Sequence, residues 1–359
     1  MISAHCIHRR FRQVKEQYFD LFADITSREK IANGHYVEQV ERHLAKIYQR
    51  NRVLLTSSGS SSLLLSLMAR NIGHGDQVIV TNYGPPACVS YVRLIGAEPV
   101  FCELNETGCM DANLLESLVT DKTKAIVATG LYGDMFDHDT VQTVCKKFNL
   151  FYIHDAAQSA LGSYKNKLNT SLGEIACMSF AENKPIPSFS ICGAIAVDSP
   201  DVYKKLISLR KHGKPTRTSK FTQIGINAWP EENKAIQILC SLPHIDTWQK
   251  RREEIVNYYD TEFNKLGITV RPRSSFTKWN THKYCVLFED KFVAQKQLAV
   301  YNIETEACYP DNFAANVNYQ FTEKFVKQSL CIPINAHLTD AEVETVVQKV
   351  SSVWKNNNI

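Results

Sequence analysis

No apolar run in this chain of 359 residues approaches the roughly 18 residues that a membrane-spanning helix needs. The N-terminus, MISAHCIHRRFRQ, carries charges where a secretory signal would carry an apolar core. The expectation is therefore a cytoplasmic protein, neither exported nor membrane-bound. Disulfide spacing is missing too. The 11 cysteines, among them Cys88, Cys177, Cys192 and Cys308, are odd in number, scattered, and never form a C-x-x-C; reduced, mostly buried thiols are expected, and no metal site. There is no low-complexity segment, and the net charge of +4 is too small for this length to argue for a nucleic-acid partner. One local absence is more telling. From Val202 to Pro230 there is no acidic residue, while Lys204, Lys205, Arg210, Lys211, Lys214, Arg217 and Lys220 all fall there. A stretch without carboxylates is either a solvated basic face or the bed for a phosphorylated ligand.

What is present is an alternation of short apolar runs and helical patterns. Val53 to Leu55 changes from the helical period of the leader (Tyr36, Val37, Val40, Leu44) to a strand, followed by the small-residue turn Thr56 to Ser62 and a helix start. A strand, a Gly/Ser turn and a helix N-terminus read either as an anion site, where free backbone N–H groups and hydroxyls converge, or as a Ser-rich N-cap without a ligand. Further strand–helix units run through Gln77–Val80, Glu98–Cys102, Lys124–Ala128 and Phe151–Ile153, and such alternation specifies a largely parallel sheet covered on both faces. The length suggests two domains: a large one over residues 1–240, including a helical leader, and a smaller α+β one over residues 241–359. The latter is expected to hold strands at Ile268–Arg271 and Tyr284–Phe288.

The centre of the pattern lies between Phe151 and Gly193. Asp155 and Gln158 follow one buried apolar run, and Ser179 and Lys184 end another. Polar tips on parallel strands face the crevice at the carboxyl edge of the sheet. An acid, a lysine and hydroxyls meeting there suit pyridoxal phosphate, whose pyridinium nitrogen wants a carboxylate and whose aldehyde bonds a lysine.

The segments TSSGSSSL, GDQVIV, IGAEPVF, DKTKAIVATGLYGD, HDAAQSALGSYKNK, GEIACMSFAENK, LRKHG and LTDAEVETVV together resemble the DegT/DnrJ/EryC1/StrS family of pyridoxal-phosphate sugar aminotransferases. The likeness runs from about Gly34 to the C-terminus. It implies an α/β fold-type-I transferase with a mostly parallel sheet and a smaller C-terminal domain. It also implies Lys184 as the lysine bonded to the cofactor, Asp155 on the ring nitrogen, Gln158 at the ring oxygen, and Ser58, Gly59, Ser60 and Ser179 around the phosphate. Asn227 would reach the phosphate of a neighbouring subunit, so the resemblance implies a homodimer with shared active sites. Lys211, His212, Arg217 and Lys220 are the candidate substrate contacts.

Several positions depart from the family pattern. Pro85 stands where a ring-stacking aromatic is usual, with Tyr83 two residues earlier as a substitute. Pro185 replaces an asparagine; Ile191, Cys192 and Gly193 replace acid-Gly-Gly; Trp229 replaces an arginine. The implied reaction moves an amino group from an amino acid, L-glutamate, to the keto group of a nucleotide-linked deoxy-ketosugar, in amino-sugar synthesis for cell-surface polysaccharide. A ketosugar acid or aminocyclitol precursor without a nucleotide is the alternative acceptor. A binding protein that kept the fold and lost the chemistry is a third reading, opposed by the presence of both Asp155 and Lys184.

Overall fold

The computed structural model describes residues 1–216, 219–314 and 319–357. The chain opens with α1 (Ile7–Ser27) and α2 (His35–Tyr48), then builds its main sheet from β1 (Arg52–Thr56), β2 (Gln77–Thr81), β3 (Glu98–Cys102), β4 (Thr123–Thr129) and β5 (Phe151–Asp155). Between these strands lie α3 (Gly59–Ala69), α4 (Pro86–Leu94), the single turn α5 (Leu115–Leu118) and α6 (His138–Phe148). After the short pair β6 (Ser163–Tyr164) and β7 (Lys167–Leu168) come β8 (Ile175–Ser179) and β9 (Gly193–Val197). The sheet has seven strands in the order β1-β9-β8-β5-β4-β2-β3. Only β9 runs against its neighbours, so the mostly parallel α/β sheet expected above is what forms.

Each central strand is buried on both faces, as expected where helices cover both sides. Val78 and Val80 pack with Leu63, Cys88 and Leu206 in one layer, while Ile79 between them packs with Leu115 and Val141 in the other. Toward β1 the second layer continues under α2 and α8 (Glu232–Ser241), where Val53, Leu55, Met178 and Ile236 meet. Glu232 caps α2 from a distance in sequence: its carboxylate accepts from the backbone N–H of Gly34 at 2.7 Å and of Tyr36 at 2.8 Å, satisfying groups that a helix start leaves open.

A second core forms further along the chain around α9 (Ile245–Lys265), the two-residue β10 (Thr277–Lys278), the antiparallel pair β11 (Tyr284–Leu287) and β12 (Ser329–Ile332), α10 (Lys291–Val300), α11 (Gln320–Gln328) and α12 (Asp340–Asn357). The first residues of the chain join this core. Ile2 bridges to Ile303, and Cys6 is buried in the same cluster.

The strand expected at Ile268–Arg271 is reduced to one bridge, Val270 to Val286. Pro272 has no N–H to extend the ladder, and Arg271 turns inward to Asp134 at 3.1 Å. Conversely, the acid-free segment begins inside a regular helix, α7 (Pro200–Leu209), whose N-cap Ser199 accepts from the Val202 N–H. No helix among the described residues is long and apolar enough to cross a membrane.

Candidate active site

The strand pairings bring Thr56, Asp155, Ser179 and Gly193 to one edge of the sheet, since Gly193 is in register with both Thr56 and Ser179. There the start of α3 is held by its own hydroxyls. Ser58 is the N-cap and accepts from the Ser61 N–H at 3.0 Å, and the Ser57 and Ser58 hydroxyls each lie 2.8 Å from that of Ser61. Two glycines let the pieces close up. A Cβ on Gly59 would lie 2.8 Å from the Ser179 Cβ, and one on Gly193 would lie 2.3 Å from the Ser58 carbonyl carbon. The result is a partly open cup of Ser58, Gly59, Ser60 and Ser179 in front of a helix N-terminus, with the shape and polarity of a phosphate seat.

Beside it Asp155 ends β5 at 2% exposure. Its carboxylate accepts from the Ala157 N–H at 3.1 Å and from the Cys88 thiol at 3.4 Å. Burial raises its pKa, against the opposing pull of the Ala157 N–H and of Lys184. Gln158 is fixed at both ends: its Oε1 accepts from the Tyr132 N–H at 2.9 Å and its Nε2 donates to the Tyr309 hydroxyl at 2.6 Å. Tyr309 is the aromatic that reaches this edge of the sheet, and nothing in the sequence reading pointed to it. Tyr83 is fully buried against it, edge-on at 5.1 Å, with its hydroxyl bonded to those of Tyr132 and Ser329. Pro85, at the family's stacking position, is instead the N-cap of α4.

Lys184 sits on the loop between β8 and β9, where its own N–H donates to the Ala181 carbonyl at 3.0 Å. Burial, followed by the charge of Lys283, lowers its pKa to about 8, with Asp155 pulling the other way. A lysine in that state supplies neutral amine near physiological pH, the form that attacks an aldehyde. It lines a cavity of about 50 Å³ together with Arg10, Arg252, His282 and Lys283. None of these four was singled out from the sequence.

The other sequence candidates lie elsewhere. Lys211 and His212 border a separate cleft of about 340 Å³ with Trp229 and Phe221, and the Lys211 ammonium stands 5.8 Å from the Trp229 ring centre. Asn227 and Lys220 are exposed, and Asn227 bridges to Lys211. Arg217 lies outside the described residues. None of Lys211, His212, Lys220 or Asn227 lines the Lys184 cavity within one chain. Arg210 belongs to the basic segment but is a strut. It is 4% exposed, and it donates to Glu41 at 3.0 Å and to the Leu55 carbonyl.

The cup, the buried carboxylate and the low-pKa lysine fit pyridoxal phosphate. Ser58, Gly59, Ser60 and Ser179 would hold its phosphate, Asp155 its ring nitrogen and Lys184 its aldehyde carbon. The cofactor, when bound, supplies an electron sink for carbon–hydrogen cleavage beside an amino group.

Residues 12–351 match the DegT/DnrJ/EryC1/StrS aminotransferase family. The chain is 28% identical over 336 residues to GDP-perosamine synthase of Caulobacter vibrioides, covering 89% of this chain and 90% of that one. It is 25% identical over 363 residues to the 3-oxo-glucose-6-phosphate:glutamate aminotransferase of Bacillus subtilis, covering 95% and 80%. The fold superposes on a crystal structure of S. venezuelae DesV in complex with a ketimine intermediate with a TM-score of 0.93, at 24% identity and 98% coverage of both chains.

Proposed function

The chain belongs to the DegT/DnrJ/EryC1/StrS aminotransferase family, pyridoxal-phosphate-dependent sugar aminotransferases, and from that premise we propose that it carries the amino group of L-glutamate to the keto group of a deoxy-ketosugar linked to a nucleoside diphosphate. The observation that carries the chemistry is the pairing of Lys184, its pKa brought to about 8, with the buried Asp155 on which its charge acts. With the cofactor bound, Asp155 would face its ring nitrogen and, as the carboxylate, would keep that nitrogen protonated. With the cofactor bound, Lys184 would accept the proton from the substrate carbon as general base and give it back as general acid.

The nucleotide-linked acceptor is supported by the basic segment. Lys211, His212, Arg217 and Lys220 lie on a stretch without carboxylates, where a diphosphate gains charge-assisted contacts. Within one chain Lys211, His212 and Lys220 stand apart from Lys184, so the reading includes a homodimer in which one protomer's basic segment, with Asn227, completes the site of its partner. The role is in making amino sugars, for surface polysaccharide among other glycans.

The test is a pair of half-reactions. L-glutamate is expected to convert the cofactor to its amine form, and a nucleotide-linked ketosugar to restore the aldehyde form. Nucleoside diphosphate is expected to compete with the second step alone, and that step is expected to weaken with salt. If nucleoside diphosphate neither competes nor protects, the acceptor is a ketosugar acid, sugar phosphate or cyclitol ketone free of nucleotide.

A further inference from the structure

We infer that the cavity behind Lys184 is a carboxylate subsite that seats the α-carboxylate of the amino-acid donor, with Arg252, Arg10 and His282 as its specificity-determining side chains. Arg10 is 2% exposed. Two of its nitrogens donate to the carbonyls of Glu182 and Ser188, while its Nε is buried without a partner. Arg252 donates to Gln249 at 2.7 Å and weakly to Thr281 at 3.4 Å. Neither arginine has an ion pair with a carboxylate among the described residues, and burial lowers both pKa values to about 10. His282 is 8% exposed and its Nε2 has no partner.

Lys283 and His5, also on the wall, are already matched, both by Glu306, and Glu182 is the one other carboxylate in the lining. The wall therefore carries four cationic side chains, Lys184 included, against two carboxylates. Arg10 is buried and Arg252 half-buried; cations so placed without a counter-charge are costly, and a ligand anion removes that cost.

The size of the cavity selects the anion. At about 50 Å³ it has room for a few water-sized groups, which suits a carboxylate and excludes a pyrophosphate or a sugar ring. Its position selects the source. Lys184 is shared between this cavity and the cofactor site, which favours an anion attached at or next to the carbon whose proton Lys184 would move. The α-carboxylate of the donor meets that condition; the carboxylate of a ketosugar acid is the other source.

This inference rests on the transaminase reading, and the experiment separates the two. Cofactor-loaded wild type and Arg252→Gln are mixed with L-glutamate, and the visible band of the lysine-bound cofactor is followed. The expected result is a half-saturating glutamate concentration raised about tenfold, the loss of one charge-assisted contact. The band, the borohydride label on Lys184 and the acceptor concentration dependence should not change. L-glutamine, amidated only at the side chain, should show the same shift, whereas the α-amide of glutamate should bind poorly to both proteins and show none.

Glutarate, which cannot donate an amino group, supplies a readout apart from turnover. It should raise the melting temperature of the wild-type holoenzyme but not that of Arg252→Gln or, should that variant fail to fold, of His282→Gln. Unchanged glutamate saturation in the variants, or a shift confined to the acceptor, overturns the inference. A protein in which no amino acid changes the band and Lys184 takes no label would instead overturn the transaminase reading.

Discussion

Asp155 is 2% exposed and bonded on both sides, whereas Lys220 and Asn227 are exposed, on a turn that leaves the core after Arg210 and is closed on itself by the Lys211–Asn227 bridge. The first region is a finished floor, its groups fixed before any ligand arrives. Under the proposed shared-site dimer, the second is half of something and is completed by a second copy of the chain. Preorganisation at the floor suits chemistry common to every substrate, and an exposed segment suits discrimination among acceptors, because changes there leave the core intact.

The contrast is broken most sharply at Lys184. Lys184→Ala is expected to lower turnover by at least about a thousandfold, the combined loss of covalent attachment and proton transfer. The phosphate cup and Asp155 should still retain the cofactor, as measured by absorbance after gel filtration. Borohydride labelling of any other lysine in the wild type would refute the assignment.

Asp155→Asn should come next. Burial raises the Asp155 pKa above its unfolded value of 3.8, so the folded chain without cofactor disfavours the ionised form. The stability that goes with protonation is present below that value and lost as pH rises. At neutral pH the variant without cofactor should therefore melt no lower than wild type, while the extra stability conferred by saturating cofactor shrinks. A variant that melts lower without cofactor yet keeps the full cofactor increment would count against the role.

Gly193→Ala should cost about 1–3 kcal/mol in a denaturant titration, because the added methyl meets backbone at the Ser58–Gly59 turn. It should also weaken cofactor affinity, since the seat itself must move.

A gentler probe is pH. With the Lys184 pKa at about 8, against 10.5 for a free lysine, the rate at which cofactor-free protein captures pyridoxal phosphate should rise as pH approaches 8 and level off above it. By the same linkage this group makes the cofactor-free fold gain stability between about 8 and 10.5.

The smallest effects should come from the exposed region. Lys220→Glu should raise the acceptor KM a few-fold in low salt and leave the glutamate half-reaction unchanged, while Asn227→Ala should loosen cofactor retention without lowering the melting temperature of the cofactor-free protein. A fully active monomer at high dilution would remove the shared-site reading.

Much of the floor was legible in the sequence because its parts sit at abrupt transitions: Asp155 and Ser179 are the last residues of apolar runs, and Ser58 opens a helix after a small-residue turn. Strand periodicity fixes such tips locally. The rest of the site was not legible, since its residues come from remote segments of ordinary local character. Tyr309 meets Gln158 across 151 positions, Arg10 meets Glu182 across 172, and His282 belongs to a loop with no periodicity. The basic segment was visible as a composition, but composition could not separate Arg210, a buried strut, from Lys211 beside it on a cleft. The strand expected at Ile268–Arg271 failed for a related reason: its apolar pattern was real, but Arg271 was claimed by Asp134 from another part of the chain.

Gly193 has a consequence for how such a protein can diversify. Any side chain there collides with the Ser58–Gly59 turn, whereas Ile191, two residues before it, is 60% exposed. The loop from Lys184 to Gly193 is thus pinned at both ends, by the lysine and by the glycine, and permissive at Ile191 near its outer end. A lineage could change the side chain at Ile191 without moving the Ser58–Gly59 turn, whereas Cys192, fully buried with its thiol on the Thr56 carbonyl, is held with the glycine.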